Sequence, residues 1–397
     1  MRVLLTSESF LPYLSGVTVS VDALARSLGA RGHQVLVLAP EPARGAVVES
    51  VGSPGPAPEY AWLPSYQLPS VVPPGYRMPW PLPWTDAMAA ATAFGPDVVH
   101  AHSPFVTGLM ARRVAAAGGA PLVFTHHTRF ADYRHYLGPL AGPGAWLADA
   151  YLRTFWGACA GIVAPSHDLA AEIRDRLPAA RRGRVHVVPT GVDVDGLRAL
   201  APVDPRTDAG WPPSAVVAAS LGRLAPEKSP MELLEAAAIA MRDAPDLRLL
   251  LVGGGPSESE LRRRAAAPDL AGRVHFTGRR PRPEALARAA GADLFVFASR
   301  SETQGLVLAE ALALGLPALA VDGPGVRDSV RDGIDGVIVP LDPADTRAQR
   351  LGAAVVALAA DPQRRRAMAE RARADAGRFS VATRAAEMEE VYRRAAD

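Results

Sequence analysis

The sequence predicts an α/β protein built from two parallel-sheet domains. Two observations predict it. Short apolar runs alternate with helical stretches through both halves of the 397-residue chain, which is the pattern of parallel α/β sheets. A stretch rich in Pro and Asp, Pro202–Pro213, separates the two series and reads as a linker.

Taken in order, the first-half strands are Val3–Thr6, Gln34–Ala39, Asp97–Ala101, Leu122–Thr125, Gly161–Ala164 and Val185–Val188. Those of the second half are Val216–Ser220, Leu247–Val252, Val274–Thr277, Leu294–Ala298, Ala318–Val321 and Val337–Val339. From about Pro343 the chain is helical, and its last segment, Ala382–Arg394, has no strand after it. Such a tail is expected to cross back to the first domain. Residues 52–87 differ, with many prolines beside Trp62, Tyr66, Tyr76, Met78, Trp80 and Trp84. They exclude a core helix or central strand, leaving a long surface loop or an aromatic loop at an acceptor or membrane face.

Composition excludes several functions. Apolar content of 49% supports large cores, and the formal net charge of +2 is not gathered into a basic face of the kind nucleic-acid binders carry. Cys159 is alone, so there is no disulfide framework and no cysteine metal cluster. The N-terminal apolar run is too short for a signal peptide, and no stretch reaches the length of a membrane span. A cytoplasmic location is expected. Neither the loop before Gly16 nor Gly253-Gly254-Gly255 is a GxGxxG fingerprint, so hydride transfer on NAD is poorly supported.

The most informative stretch runs from Glu302 to Glu310. A polar loop, Ser299-Arg300-Ser301, follows a strand and precedes a helix in which Leu306–Leu314 is Leu, Val or Ala except at Glu310. An apolar helix is a buried helix, and a buried carboxylate needs a partner. Ligand hydroxyls would serve; alternatively Glu310 reaches solvent at an exposed edge. Free amides at the helix start make an anion site, so one strand-loop-helix offers amides for a phosphate and carboxylates for hydroxyls. Of 43 Lys and Arg residues a single one is Lys, Lys228. It stands with Arg223 in a loop before a helix whose start, Ser229-Pro230 with Glu232, fits an N-cap, an N1 proline and a capping box. A guanidinium fork and a compact ammonium both suit a diphosphate. Thr125-His126-His127-Thr128 ends a strand, where open α/β sheets bind ligands. Adjacent strand residues face opposite ways, which argues against one metal taking both histidines. Of the further histidines at 100, 102 and 135, one or two are expected to be structural.

With these residues quoted, the chain resembles the retaining glycosyltransferases of family 4. The resemblance spans nearly the whole chain through Phe10-Leu11-Pro12 with Gly16, Gly32-His33, Ala164-Pro165-Ser166, Pro189-Thr190-Gly191-Val192-Asp193, Gly222-Arg223-Leu224 with Glu227-Lys228, and Glu302–x7–Glu310 before Gly315-Leu316-Pro317. It implies the GT-B fold: two Rossmann-like domains facing a deep cleft, residues 1–200 with a crossing-back helix 378–397 as the acceptor-binding domain and 201–377 as the nucleotide-sugar-binding domain. It implies His127 and Glu302 as catalytic residues. For the donor it implies Arg223 and Lys228 on the diphosphate, with Gly16, Gln304, Gly305, Leu306 and Val307 beside it and Glu310 on the ribose. It implies no cofactor and no essential metal. The segment from His127 to Tyr136 is similar to the HTxYExYxHY run of diacylglycerol glucosyltransferases, with Phe130 for a Tyr and Ala131 for the Glu. His102, Tyr133 and His135 are then acceptor-binding candidates. The expected reaction moves a hexose, glucose first, from a UDP-sugar to a lipid hydroxyl. A soluble sugar or metabolite acceptor, or a nucleotide-sugar epimerase of related fold, are the alternatives. Arg112, Arg113, Arg129, Arg134, Tyr151, Arg153 and Trp156 suggest peripheral association with an anionic membrane at the inner face of the plasma membrane, or else a solvated basic face with Trp in the core. The expected partners are a nucleotide sugar and a lipid or sugar acceptor, with no nucleic acid.

Overall fold

The computed structural model describes residues 1–50, 54–67, 75–80, 85–129 and 141–397. It divides into two compact units, Met1–Asp193 with Ser380–Asp397, and Val194–Phe379. The first holds β1 (Arg2–Thr6), β2 (Gln34–Pro40), β3 (Glu59–Leu63), β4 (Ser65–Tyr66), β5 (Met78–Pro79), β6 (Val98–Ala101), β7 (Leu122–Thr125), β8 (Gly161–Ala164) and β9 (Val185–Val187). Seven of these form a parallel sheet in the order β3-β2-β1-β6-β7-β8-β9. β1 is buried on both faces, Leu4 in one core and Val3 and Leu5 in the other, as a central parallel strand must be.

The second unit holds β10 (Val216–Leu221), β11 (Leu247–Val252), β12 (Val274–Gly278), β13 (Leu294–Phe297), β14 (Ala318–Val321) and β15 (Gly336–Val339). They form a parallel sheet in the order β12-β11-β10-β13-β14-β15. Strand order reverses between β1 and β6 in one unit and between β10 and β13 in the other. The crevice beyond the carboxyl ends at such a reversal is where doubly wound sheets bind ligands.

Every strand read from the sequence is present, with ends shifted by at most one residue. Two expectations are corrected. The Pro-rich region contains edge strand β3, which pairs with β2 and buries Leu63 completely. Its other face stacks Tyr60 on Trp62 (4.8 Å between ring centroids) beside Phe10. An edge strand tolerates neighbouring prolines because one side of its ladder is unpaired. The supposed linker is tied into the second unit. Asp204 caps the helix Pro205–Ala209, and Val203 N donates to Ala287 O at 2.9 Å. The unit boundary therefore falls earlier, between Asp193 and Val194. Of the two readings open for Trp156 the core one holds, since it is 1% exposed.

The C-terminal helix Val381–Ala396 belongs to the first unit. Its entry needs Gly191: a Cβ there would lie 2.6 Å from the Val381 Cα. Val381 N donates to Val192 O at 3.1 Å. Met388, Val391 and Tyr392 then join the core of Val123 and Val163. Arg31 and His33 both bond the Glu389 carboxylate, His33 Nε2 at 2.9 Å. The Gly32-His33 and Pro189–Asp193 motifs thus have a structural use, seating the returning helix.

Candidate active site

In the second unit the site is built where β10 and β13 run side by side, with Ala218 opposite Leu294. The loop after β10 is backed by glycines. A Cβ on Gly253 would lie 2.0 Å from Gly222 O, and one on Gly255 2.3 Å from Leu224 O. Gly253-Gly254-Gly255 therefore lets the end of β11 press against the Arg223 loop. Three contacts lace this loop to the one after β13: Arg300 Nε donates to Ser229 Oγ (3.0 Å), Ser301 Oγ to Glu227 O (2.9 Å), and Lys228 Nζ to Glu302 Oε1 (2.6 Å). Arg223 pairs with Glu227. Both cations expected at a diphosphate are thus held by carboxylates, and an incoming anion must compete with those pairs.

Ser229 is, among the described residues, the one non-glycine with positive φ, at 51°. It precedes the helix Pro230–Asp243 as expected but makes no side-chain cap. Its hydroxyl accepts from Arg300 instead, and Glu232 pairs with Arg347 at 3.1 Å. The expected capping box is absent because tertiary partners outcompete it. Backbone held in a sparsely populated region clusters at functional loops.

The helix Leu306–Ala313 starts after Gly305, whose φ is 71°. The first amides of a helix have no intrahelical acceptor, so those of Leu306 and Val307 stand beside the Lys228–Glu302 pair in sequence position. Gln304 is buried, and a Cβ on Gly325 would lie 2.8 Å from its Cα. Glu310 is 3% exposed, so it does not reach solvent at an exposed edge. Its partner is Arg282, whose burial lowers its pKa to about 10. Arg282 was not legible as a site residue; the signal was its place at a helix start just after β12.

In the first unit, Gly16 opens the helix Gly16–Ala30 behind a true capping box of Ser15 and Thr18. A Cβ on Gly16 would meet no atom within 4 Å, so protein packing does not require glycine there. Four histidines gather at the carboxyl ends of β6 and β7, His100 within β6 and His102, His126 and His127 past the strand ends. His100 bonds Tyr392 Oη and Thr125 Oγ1, each at 2.7 Å, and is structural. His126 packs edge-on against Phe124 and Trp156. His102 Nδ1 lies 2.9 Å from His127 Nε2. His102 is buried, which makes it a support of His127 more than a surface for an acceptor. Tyr133 and His135 lie outside the described residues.

Glu8, also missed, follows β1 and accepts from Thr107 N (3.0 Å) and Thr107 Oγ1 (2.9 Å). Burial raises its pKa, and burial with the charge of Glu8 pushes the Tyr76 hydroxyl up to about 12. Among the described residues no three His, Cys, Asp or Glu side chains gather as a metal site, and no helix is long and apolar enough to cross a membrane.

Burial lowers the histidine pKa values, to about 3 at His100 and His126, to about 4 at His127, and well below the ordinary range at His102. The unfolded chain then binds more protons than the folded one below about pH 6.5, and stability falls as pH drops through that point. Glu389, held at about 2 by Arg31 and His33, loses its contribution only below its ordinary carboxylate range. The window from about pH 6.5 to 4.5 therefore reports the buried histidines, with His186 and His275 adding to the fall and Glu8, whose raised pKa favours the folded state as pH drops, opposing it. Thermal melts are expected to fall steadily across it, and His126→Phe to flatten the fall. An unchanged slope in that variant would count against the assignment.

Two family models cover the chain in succession: Glycosyltransferase Family 4 on residues 14–195 and Glycosyl transferases group 1 on residues 206–375. The chain is 33% identical over 345 residues to a GDP-mannose-dependent alpha-mannosyltransferase of Mycolicibacterium smegmatis, covering 86% of this chain and 85% of that protein. It is 28% identical over 348 residues to an alpha-monoglucosyldiacylglycerol synthase of Acholeplasma laidlawii, covering 85% and 84%. Its fold is similar to that of HepE from Anabaena in complex with UDP, with a TM-score of 0.72 at 20% identity over 98% and 99% of the two chains.

Proposed function

The chain belongs to glycosyltransferase family 4, and on that premise we propose that it moves a hexose, with retention, from a nucleoside-diphosphate sugar to a lipid hydroxyl such as that of diacylglycerol. The observation that carries the lipid reading is an exposed apolar and basic face on the first unit. Trp146 and Leu147 are 70% and 61% exposed on the helix Ala141–Gly157. Phe105, at the N-cap of the helix Val106–Gly118, and Leu109 on it are also exposed, and the exposed Arg112 and Arg113 follow Leu109 at helical spacing. Parallel rings of Phe105 and Tyr151 join the two helices. Monomeric proteins rarely leave such a patch without use, and aromatic groups rimmed by arginine suit an anionic bilayer surface.

In this reading Arg223 and Lys228 exchange Glu227 and Glu302 for the donor diphosphate. The cations then oppose the charge that develops as the diphosphate leaves. Released from Lys228, Glu302 becomes an acceptor for sugar hydroxyls. The amides at Leu306 and Val307 add donors to the phosphate oxygens, and Glu310, oriented by Arg282, is left to accept from ribose hydroxyls. His127 keeps the catalytic part that the family resemblance implies for it. No metal enters this scheme.

UDP-glucose is the first donor to test, in line with the glucosyldiacylglycerol synthase relative. GDP-mannose is a second reading, favoured by the 33% identity to the mannosyltransferase. Purified protein would be incubated with each radiolabelled donor, with and without chelator, and with vesicles of diacylglycerol and anionic phospholipid. Label is expected in the organic phase only when vesicles are present, and chelator should leave the rate unchanged. Transfer to soluble sugars or metabolites with no lipid label from either donor would overturn the lipid acceptor while leaving the transferase intact.

A further inference from the structure

We propose that His102 is a positioning residue that fixes the tautomer of His127, so that His127 offers an Nδ1–H donor, and not a basic nitrogen, to whatever occupies the site. The inference rests on the reading of His127 as a ligand-facing residue, but its test does not depend on which substrate is correct.

The geometry of the pair is specific. His102 Nδ1 and His127 Nε2 are 2.9 Å apart, the ring centroids are 5.2 Å apart, and the planes differ by 22°. Nitrogens so much closer than the centroids lie between the rings, so the contact is an edge-on hydrogen bond and not a stack. Burial keeps both rings neutral near neutral pH. One proton therefore sits between the two nitrogens, and two arrangements are open. If His127 Nε2–H donates, His102 must carry its own proton on Nε2. If His102 Nδ1–H donates, His102 Nε2 is a bare lone pair and His127 carries its proton on Nδ1.

The surroundings of His102 Nε2 choose between them. That atom is buried and has no hydrogen-bond partner among the described residues. Orphaned buried N–H groups are rarer than under-satisfied acceptors. That preference places the shared proton on His102 Nδ1. His127, half-buried, is left with Nδ1–H as the group that meets a ligand. A neutral N–H donor suits an acceptor oxygen of a sugar hydroxyl, and it cannot take up a proton at that atom.

The test is histidine nitrogen NMR on the full chain labelled with ¹⁵N-histidine, with His127→Gln used for assignment. In the unaltered protein Nδ1 of His127 is expected to show the protonated, pyrrole-type shift and Nε2 the bare, pyridine-type shift. His102→Leu removes the donor, and the His127 proton is expected to move wholly or partly to Nε2. His102→Asn keeps an amide N–H near the position of Nδ1 and is expected to restore the original pattern. A His127 that carries its proton on Nε2 in the unaltered protein overturns the proposal, whatever the variants do. So does a His127 tautomer that is the same in His102→Leu as in the unaltered chain. A spectrum in which His102→Asn behaves like His102→Leu also counts against it, because a purely steric role would not separate the two.

Discussion

Lys228→Ala is expected to lower sugar transfer by about 10²–10³-fold, the loss seen when one preorganised donor to developing negative charge is removed. Fold stability should hardly change. The Lys228–Glu302 pair is partly exposed, with a third of the lysine side chain open to solvent, and such pairs contribute about 0–1 kcal/mol. The two effects separate cleanly because Lys228 and Glu302 neutralise each other only in the empty site. When the diphosphate arrives, the alanine variant lacks the cation and retains an unpaired carboxylate in the same loop cluster. A second change, Glu302→Gln, removes that repulsion. The double variant is therefore expected to bind donor more tightly than Lys228→Ala alone, while remaining slow. Donor affinity measured by calorimetry and initial rates measured by nucleoside diphosphate release would check both parts. A Lys228→Ala protein with unaltered kinetics would remove the lysine from the site.

What could be read from the sequence, and what could not, divides on physical grounds. Central parallel strands are buried on both faces, so they appear as unbroken apolar runs such as Leu247–Val252 and need no partner to be recognised. Strand β3 is an edge strand, and its alternation of Tyr60 and Trp62 against Ala61 and Leu63 was hidden among prolines. Charged residues at loop-to-helix junctions, Arg223, Lys228 and Glu302, were conspicuous because helix starts are local features. Their pairing was not, because Lys228 meets Glu302 across 74 positions through the adjacency of β10 and β13. Arg282 under Glu310 and Thr107 over Glu8 are of the same kind. So is the His102–His127 contact, which follows from a register that sets His100 opposite Val123. Register and sheet order are tertiary quantities, and a single sequence carries no direct record of them.

The same reasoning makes the C-terminal helix the element whose loss costs most. A chain ending at Phe379 is expected to fail to fold its first unit. Met388, Val391 and Tyr392 would be removed from a buried core, and at roughly 1.5–3 kcal/mol for each large side chain the loss is about 5–9 kcal/mol. That range is comparable with the whole stability of a typical domain, about 5–15 kcal/mol, before the Arg31–Glu389–His33 contacts are counted. Tyr392→Phe is the graded version. It deletes one hydroxyl and leaves the buried His100 Nδ1 without its partner, a cost of about 1–3 kcal/mol. The shortened chain should therefore be insoluble or lack a cooperative melt, whereas Tyr392→Phe should melt cooperatively at a lower temperature. A stable, active protein ending at Phe379 would mean that the helix only covers a sheet able to stand without it.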